Sequence, residues 1–168
     1  MGLYPADIEH QAAAIIAAYR ERGWMIATAE SCTGGLIAGA LTEIAGSSAV
    51  VDRGFVTYTN QAKKELIGVS AATLEGFGAV SKETALQMAH GALMRSNAQV
   101  AVAVTGIAGP GGGSAEKPVG LVHLALKTRS GLVDHWEMRY GDIGRDQVRL
   151  ATVRTSLDML TAAVQLPA

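Results

Sequence analysis

The chain has 168 residues and a formal net charge of −1, and it is 49% hydrophobic against 17% charged and 5% aromatic. That length suits one domain whose core buries roughly 70% of the surface its unfolded chain would expose. So few aromatics require a core of small aliphatic side chains, and the near-zero charge excludes the broad basic field that a nucleic-acid backbone would need.

Cys32 is the single cysteine, which rules out an internal disulfide or a CxxC metal site and makes a reducing compartment the expectation. The opening MGLYPADIEH has no basic segment followed by an apolar stretch. No apolar run approaches the ~18 residues of a bilayer span, so a cytoplasmic protein without membrane attachment is expected. Between Asp7 and Arg22, the side chains of Ile8, Ala12, Ile15, Ile16 and Tyr19 recur on one face, predicting an amphipathic helix that Gly23 ends. Residues 24–29 are short and apolar enough for a strand, and residues 33–44 read as a small-residue helix closed by Gly46. A second strand is predicted over 50–59, a short helix over 61–67 stopping at Gly68, and a further turn or helix over 71–75.

Ser81 is placed to cap a helix reaching about residue 95, with Glu83 at the positive end of its dipole and Ala85, Met88, Ala89 and Ala92 on its buried side. Residues 99–105 (QVAVAVT) form an unbroken apolar run, the pattern of a central strand covered on both faces. Two more strand-like runs, 119–127 and 132–140, are joined by TRSG and predict an antiparallel hairpin. Val153, Leu157, Leu160 and Val164 mark a C-terminal helix. The sum is an α/β fold, a three-layer α/β/α sandwich with a mixed, mostly parallel sheet carrying an antiparallel hairpin, over a single domain 1–168. The apolar richness and alanine-lined helices point to a homo-oligomer, a dimer first.

Four segments carry candidate chemistry. TAESCTGG, residues 28–35, lies where a strand gives way to a helix. Ser31 there is a potential nucleophile beside the Cys32, Thr33 and Gly34 N–H groups, which are candidate oxyanion donors. Cys32 is a rival nucleophile, and simple helix capping by Ser31 or Thr33 is the plainer alternative. His10, His90, His123 and His135 sit in no motif, so the base is sought in FVTYTNQAKK, which contains Tyr58, Lys63 and Lys64. A desolvated lysine can act as a base, and because helix neighbours point about 100° apart only one of the pair faces a site; two solvated lysines are the alternative.

TGIAGPGGGS, residues 105–114, follows the presumed central strand, where α/β sheets place ligands. It matches neither the Walker A pattern nor GxGxxG, so it is either a backbone cradle for phosphate or ribose or a flexible loop. GDIGRD, residues 141–146, offers Arg145 as a forked phosphate donor, unless it merely pairs with Asp142 or Asp146. No His, Cys, Asp or Glu cluster has metal-ligand spacing, so no metal is expected.

Taken together, TAESCTGG, GSS at 46–48, RGFVTYTNQAK at 53–63, GAVS at 78–81, TGIAGPGGGSAEKPVG at 105–120 and the GDIGRDQVR segment resemble the CinA C-terminal domain family, in order and spacing, from about residue 8 to 164. With no segment corresponding to the N-terminal domain of its longer members, the chain resembles the stand-alone amidase form. The resemblance implies hydrolysis of the carboxamide of nicotinamide mononucleotide to nicotinate mononucleotide and ammonia, without a metal or other cofactor, in pyridine-nucleotide salvage. It implies Ser31 as nucleophile, Lys63 as general base and Tyr58 as an orienting residue. Thr33, Gly34, Thr105, Gly106, Gly109, Gly111 and Arg145 would bind the small-molecule pyridine nucleotide. A non-catalytic nucleotide-binding module of the competence or DNA-damage response, or an amidase for another substrate, are the alternatives.

Overall fold

The fold, taken from a computed structural model, is described for residues 2–167. Helix α1 (Ala6–Arg22) ends on Gly23 in the left-handed region and leads into strand β1 (Ile26–Glu30). Helix α2 (Leu36–Thr42) follows, then strand β2 (Val51–Val56) and the helices α3 (Asn60–Ile67), α4 (Ala71–Phe77) and α5 (Lys82–Met94). Strands β3 (Val100–Gly106), β4 (Leu121–Thr128) and β5 (Val133–Arg139) precede the last helix, α6 (Arg145–Val164).

The five strands form one sheet in the order β2-β1-β3-β4-β5. Strands β2, β1 and β3 pair in parallel, β4 is antiparallel to β3, and β5 is antiparallel to β4. The predicted hairpin and the central position of β3 are both present. Direction and pairing separate here: β5 turns back to the direction of β1 to β3, so four strands run one way while the pairings divide evenly.

The strands carry two kinds of face. Ile26, Val100, Val102, Val104, Val122, Leu124 and Leu126 pack against α1, α2 and α6. On the other face Ala27, Ala29, Ala101, Ala103 and Ala125 meet Ala85, Met88, Ala89 and Ala92 of α5 and Ile67 of α3. Alternation along each strand thus builds a thick aliphatic layer on one side and a thin alanine layer on the other. Helix spacing inside the thin layer is close enough that a Cβ on Gly91 would collide with the Ile67 carbonyl.

Two differences from the sequence reading bear on function. The helix expected over 33–44 begins only at Leu36, because Gly34 and Gly35 take φ of 58° and 103° and hold the chain in a turn. The strand expected over 24–29 runs instead to Glu30, which places that carboxyl on the same face as Ile26 and Thr28, toward α2. From β1 the chain passes to β2 on one side and then to β3 on the other, so the crevice beyond the carboxyl ends of β1 and β3 is a topological switch point, where open α/β sheets take ligands.

Candidate functional site

At the end of β1, Ser31 N–H donates to the Val104 carbonyl of β3 at 3.1 Å, so the nucleophile candidate is tied to both strands that form the crevice. Glu30, fully buried, organises the turn beyond it. Its carboxylate accepts from the Thr33 hydroxyl at 2.6 Å and from the Ile37 and Ala38 N–H groups at 2.8 and 3.0 Å. These are first-turn donors of α2, so a carboxylate from the preceding strand caps the helix in place of Ser31 or Thr33. Glu30→Ala is expected to cost about 3 kcal/mol, because it leaves buried donors without an acceptor, and Glu30→Gln less. Urea unfolding of the purified variants measures both.

Lys63 reaches the same place from α3. The Thr59 hydroxyl caps that helix by accepting from Ala62 N–H, and one turn later the Lys63 side chain enters the protein. It is 1% exposed, while Lys64 is exposed and lines a separate cleft with Glu75. Lys63 Nζ lies 3.0 Å from Ser31 Oγ, 2.9 Å from the Thr57 carbonyl and 3.3 Å from the Tyr58 carbonyl. It forms no ion pair among the described residues. Burial without a counterion brings its pKa down to about 8.

Carbonyl oxygens only accept, so when the ammonium loses a proton its two remaining N–H groups stay on Thr57 and Tyr58. The lone pair is then left facing Ser31 Oγ. That arrangement can take a proton from the serine as it attacks an electrophile. Cys32 is chemically different: 5% exposed, its thiol is pushed by desolvation up to about 12, which removes it as a nucleophile near neutral pH.

A cavity of about 280 Å³ opens onto this pair, at the small end of ligand clefts. Ser31, Tyr58, Lys63, Thr105, Gly106, Gly109, Gly111 and Arg145 all line it, so the structure brings together eight of the ten residues singled out from the sequence. Thr33 and Gly34 lie outside its lining. The Thr33 side chain is fully buried on Glu30, and Gly34 N–H is taken by the Ser31 carbonyl at 3.0 Å, so Gly34 is unavailable as an oxyanion donor.

Tyr58 lies beyond β2 with its ring largely exposed. Its carbonyl serves Lys63, and its hydroxyl accepts from Arg145 Nη2 at 3.0 Å. Arg145, the first residue of α6, also donates to the Gly109 carbonyl at 2.8 Å and pairs with neither Asp142 nor Asp146 among the described residues. It bridges the Tyr58 loop and the glycine loop across the mouth of the cavity. The Thr105 hydroxyl donates to the Ala79 carbonyl at 2.7 Å and fixes the segment before α5 as a further wall. His123 and His135 stack on each other across β4 and β5, and no histidine lines the cavity.

Glu30 escaped the sequence reading although period-two alternation puts it on the face of Ile26. Arg149 escaped it too, although it stands one helical turn beyond Arg145 and donates to the Cys32 and Thr33 carbonyls.

Fold and site define a class: small mixed-sheet α/β proteins in which a serine and a buried lysine meet at the switch-point crevice without a histidine. Comparison with known proteins narrows it. The CinA C-terminal domain family matches residues 8–164, and the chain belongs to that family. It is 55% identical over 142 residues to a protein of Enterobacter agglomerans named nicotinamide-nucleotide amidohydrolase PncC, covering 84% of this chain and 85% of that one. Other relatives are longer: the chain spans 39% of a putative competence-damage inducible protein of Caldicellulosiruptor saccharolyticus, at 44% identity over 96% of its own length. Among solved structures it is similar to the competence/damage inducible protein CihA from Agrobacterium tumefaciens, with 72% identity, a TM-score of 0.97 and coverage of 98% of this chain and 100% of that one. Among the described residues, no helix is long and apolar enough to cross a membrane.

Proposed function

We propose that this chain is a nicotinamide-nucleotide amidase, hydrolysing the carboxamide of nicotinamide mononucleotide to nicotinate mononucleotide and ammonia. The observation that carries the reading is the buried Lys63 amine 3.0 Å from Ser31 Oγ, its other two contacts being carbonyls. Neutral Lys63 takes the hydroxyl proton as Ser31 Oγ bonds to the amide carbon. The carbonyl oxygen becomes an oxyanion held by the Cys32 N–H, which belongs to the cavity lining and has no acceptor among the described residues. Collapse of the intermediate breaks the C–N bond, the Lys63 ammonium returns the proton to the leaving nitrogen, and ammonia departs. Water then gives a proton to Lys63 and attacks the Ser31 ester; the bond from the acyl carbon to Ser31 Oγ breaks, Lys63 returns that proton to the serine oxygen, and the carboxylate is released.

The name and similarity of the Enterobacter agglomerans relative support this substrate. Arg145 and the loop through Thr105, Gly106, Gly109 and Gly111 are assigned to the nucleotide, with Arg145 on its phosphate. Two of the five Arg145 N–H groups are engaged by the protein, and three remain for an anion. Arg145→Met is therefore expected to raise KM for nicotinamide mononucleotide about thirtyfold, since one charge-assisted contact is worth about 2 kcal/mol. With nicotinamide riboside, which has no phosphate, most of that difference should vanish in the same ammonia assay.

The reading extends to the whole chain as one domain, acting as a homodimer in the cytoplasm in pyridine-nucleotide salvage. Its unpaired Cys32 thiol is compatible with a reducing compartment, and Val56, Leu66, Phe77 and Met94 leave apolar surface for a second copy to cover. The decisive test is ammonia release from nicotinamide mononucleotide, with and without a chelator. Release in both is expected, because serine and lysine complete the proton chemistry; no release from the folded protein overturns the assignment, and loss with chelator overturns its mechanism.

A further inference from the structure

Arg149 stands one turn beyond Arg145 on α6, half-buried beneath the nucleophile turn rather than in the cavity. Its Nε donates to the Cys32 carbonyl at 3.1 Å and its Nη2 to the Thr33 carbonyl at 3.2 Å. A guanidinium is planar and rigid, so two consecutive carbonyls held by one of them cannot rotate independently. In a trans peptide the C=O and N–H bonds point in opposite directions. Holding the Cys32 carbonyl down therefore turns the Thr33 N–H the other way, away from Arg149. The Cys32 N–H is set in the same manner by the preceding peptide, whose Ser31 carbonyl is held by Gly34 N–H at 3.0 Å. Neither the Cys32 nor the Thr33 N–H has an acceptor among the described residues, and of the two residues Cys32 is the one that lines the cavity beside Ser31.

We propose that Arg149 is a positioning residue for the hydrolysis: by holding the Cys32 and Thr33 carbonyls it fixes the peptide between these residues, so that the Cys32 N–H in the cavity lining, and not the Cys32 carbonyl oxygen, meets the negative charge that develops on the substrate. Without the fork this peptide is free to flip, and a carbonyl dipole aimed at the oxyanion would oppose the reaction. The geometry of the turn agrees. Gly34, at φ 58°, takes the left-handed conformation that closes the turn, its N–H on the Ser31 carbonyl, while the Cys32 and Thr33 carbonyls go to the guanidinium. Arg149 touches no substrate on this account. Its loss should appear in kcat with KM nearly unchanged, the opposite of Arg145.

The inference rests on the serine–lysine reading, and the experiment separates the two. Ammonia release from nicotinamide mononucleotide by the wild-type protein is measured first; an inactive wild type overturns the hydrolytic reading and this one with it. With an active wild type, Arg149→Met is expected to lower kcat about 30-fold or more, a part of the 10²–10³ lost with a whole oxyanion donor. KM should stay within about threefold and the acidic limb of the pH profile should keep its midpoint, because the Lys63 amine is not in contact with Arg149. Arg149→Lys, which can hold one carbonyl but not two, should fall between, and it decides the matter if Arg149→Met does not fold. A kcat of Arg149→Lys equal to wild type, or a loss confined to KM, overturns the proposal.

Discussion

Replacing Ser31 by Ala is expected to abolish ammonia release from nicotinamide mononucleotide, lowering kcat by about 10⁴-fold or more, as loss of the nucleophile does where a covalent intermediate forms. The fold should survive. Ser31 is held through its backbone N–H on Val104, its hydroxyl has Lys63 as its one side-chain partner among the described residues, and the variant keeps the first of these. Thermal unfolding within a few degrees of wild type, together with unchanged binding of nicotinate mononucleotide, would confine the loss to chemistry. Cys32 offers no rescue, since its buried thiol stays protonated far above neutral pH. Quenching the wild-type reaction and weighing the protein should reveal an ester on the peptide that contains Ser31. An active Ser31→Ala protein would remove serine from the mechanism altogether.

Lys63→Met is expected to match that loss in activity while changing stability in a way Ser31→Ala cannot. With its pKa brought down to about 8, about a tenth of Lys63 is neutral at pH 7. The wild-type kcat/KM should therefore rise nearly tenfold per pH unit below 8 and level off above it. The stability prediction has a definite sign. An unfolded lysine titrates near 10.5 and the folded one near 8, so between those values the unfolded chain holds one proton more than the native one, and native stability rises with pH. Across that window the wild type should gain about 3 kcal/mol relative to Lys63→Met. Below pH 8 the buried ammonium is a standing cost that the Met variant escapes, offset in part because the Thr57 and Tyr58 carbonyls lose their donor. Urea unfolding at pH 7, 8.5 and 10 gives the slope directly. Parallel curves for the two proteins would show that Lys63 titrates at its ordinary value and would undo its role as the base.

These expectations share one physical origin: a protein tolerates a buried, unpaired amine only where something requires it. Most buried groups here serve packing. The alanine face of the sheet lets α5 approach, and Glu30 satisfies the α2 terminus. Lys63 donates to the buried Thr57 carbonyl and to that of Tyr58, but no ion pair among the described residues offsets the burial of its charge.

Much of this was legible in the residues alone. Short apolar runs marked the strands, the 3.6-residue rhythm of Ile8 to Tyr19 marked α1, and the unbroken run QVAVAVT declared itself the central strand, because each pattern reports which part of one local element leaves water. The motifs of the CinA C-terminal domain family likewise pointed to Ser31, Lys63 and Arg145 before any coordinates. What the linear pattern could not decide was direction and distance. Lys63 and Lys64 are neighbours of the same kind, and only the seating of α3 against α5 and β2 sends one inward and leaves the other in solvent. Gly34 and Gly35 delay α2 by a turn, so a helix end expected to face the substrate is closed by Glu30 instead. The pairs Ser31 with Lys63, Tyr58 with Arg145, and Cys32 with Arg149 stand 32, 87 and 117 residues apart along the chain. Secondary structure is written in local periodicity, whereas a site is made where separate strands end together, and that meeting is set by packing alone.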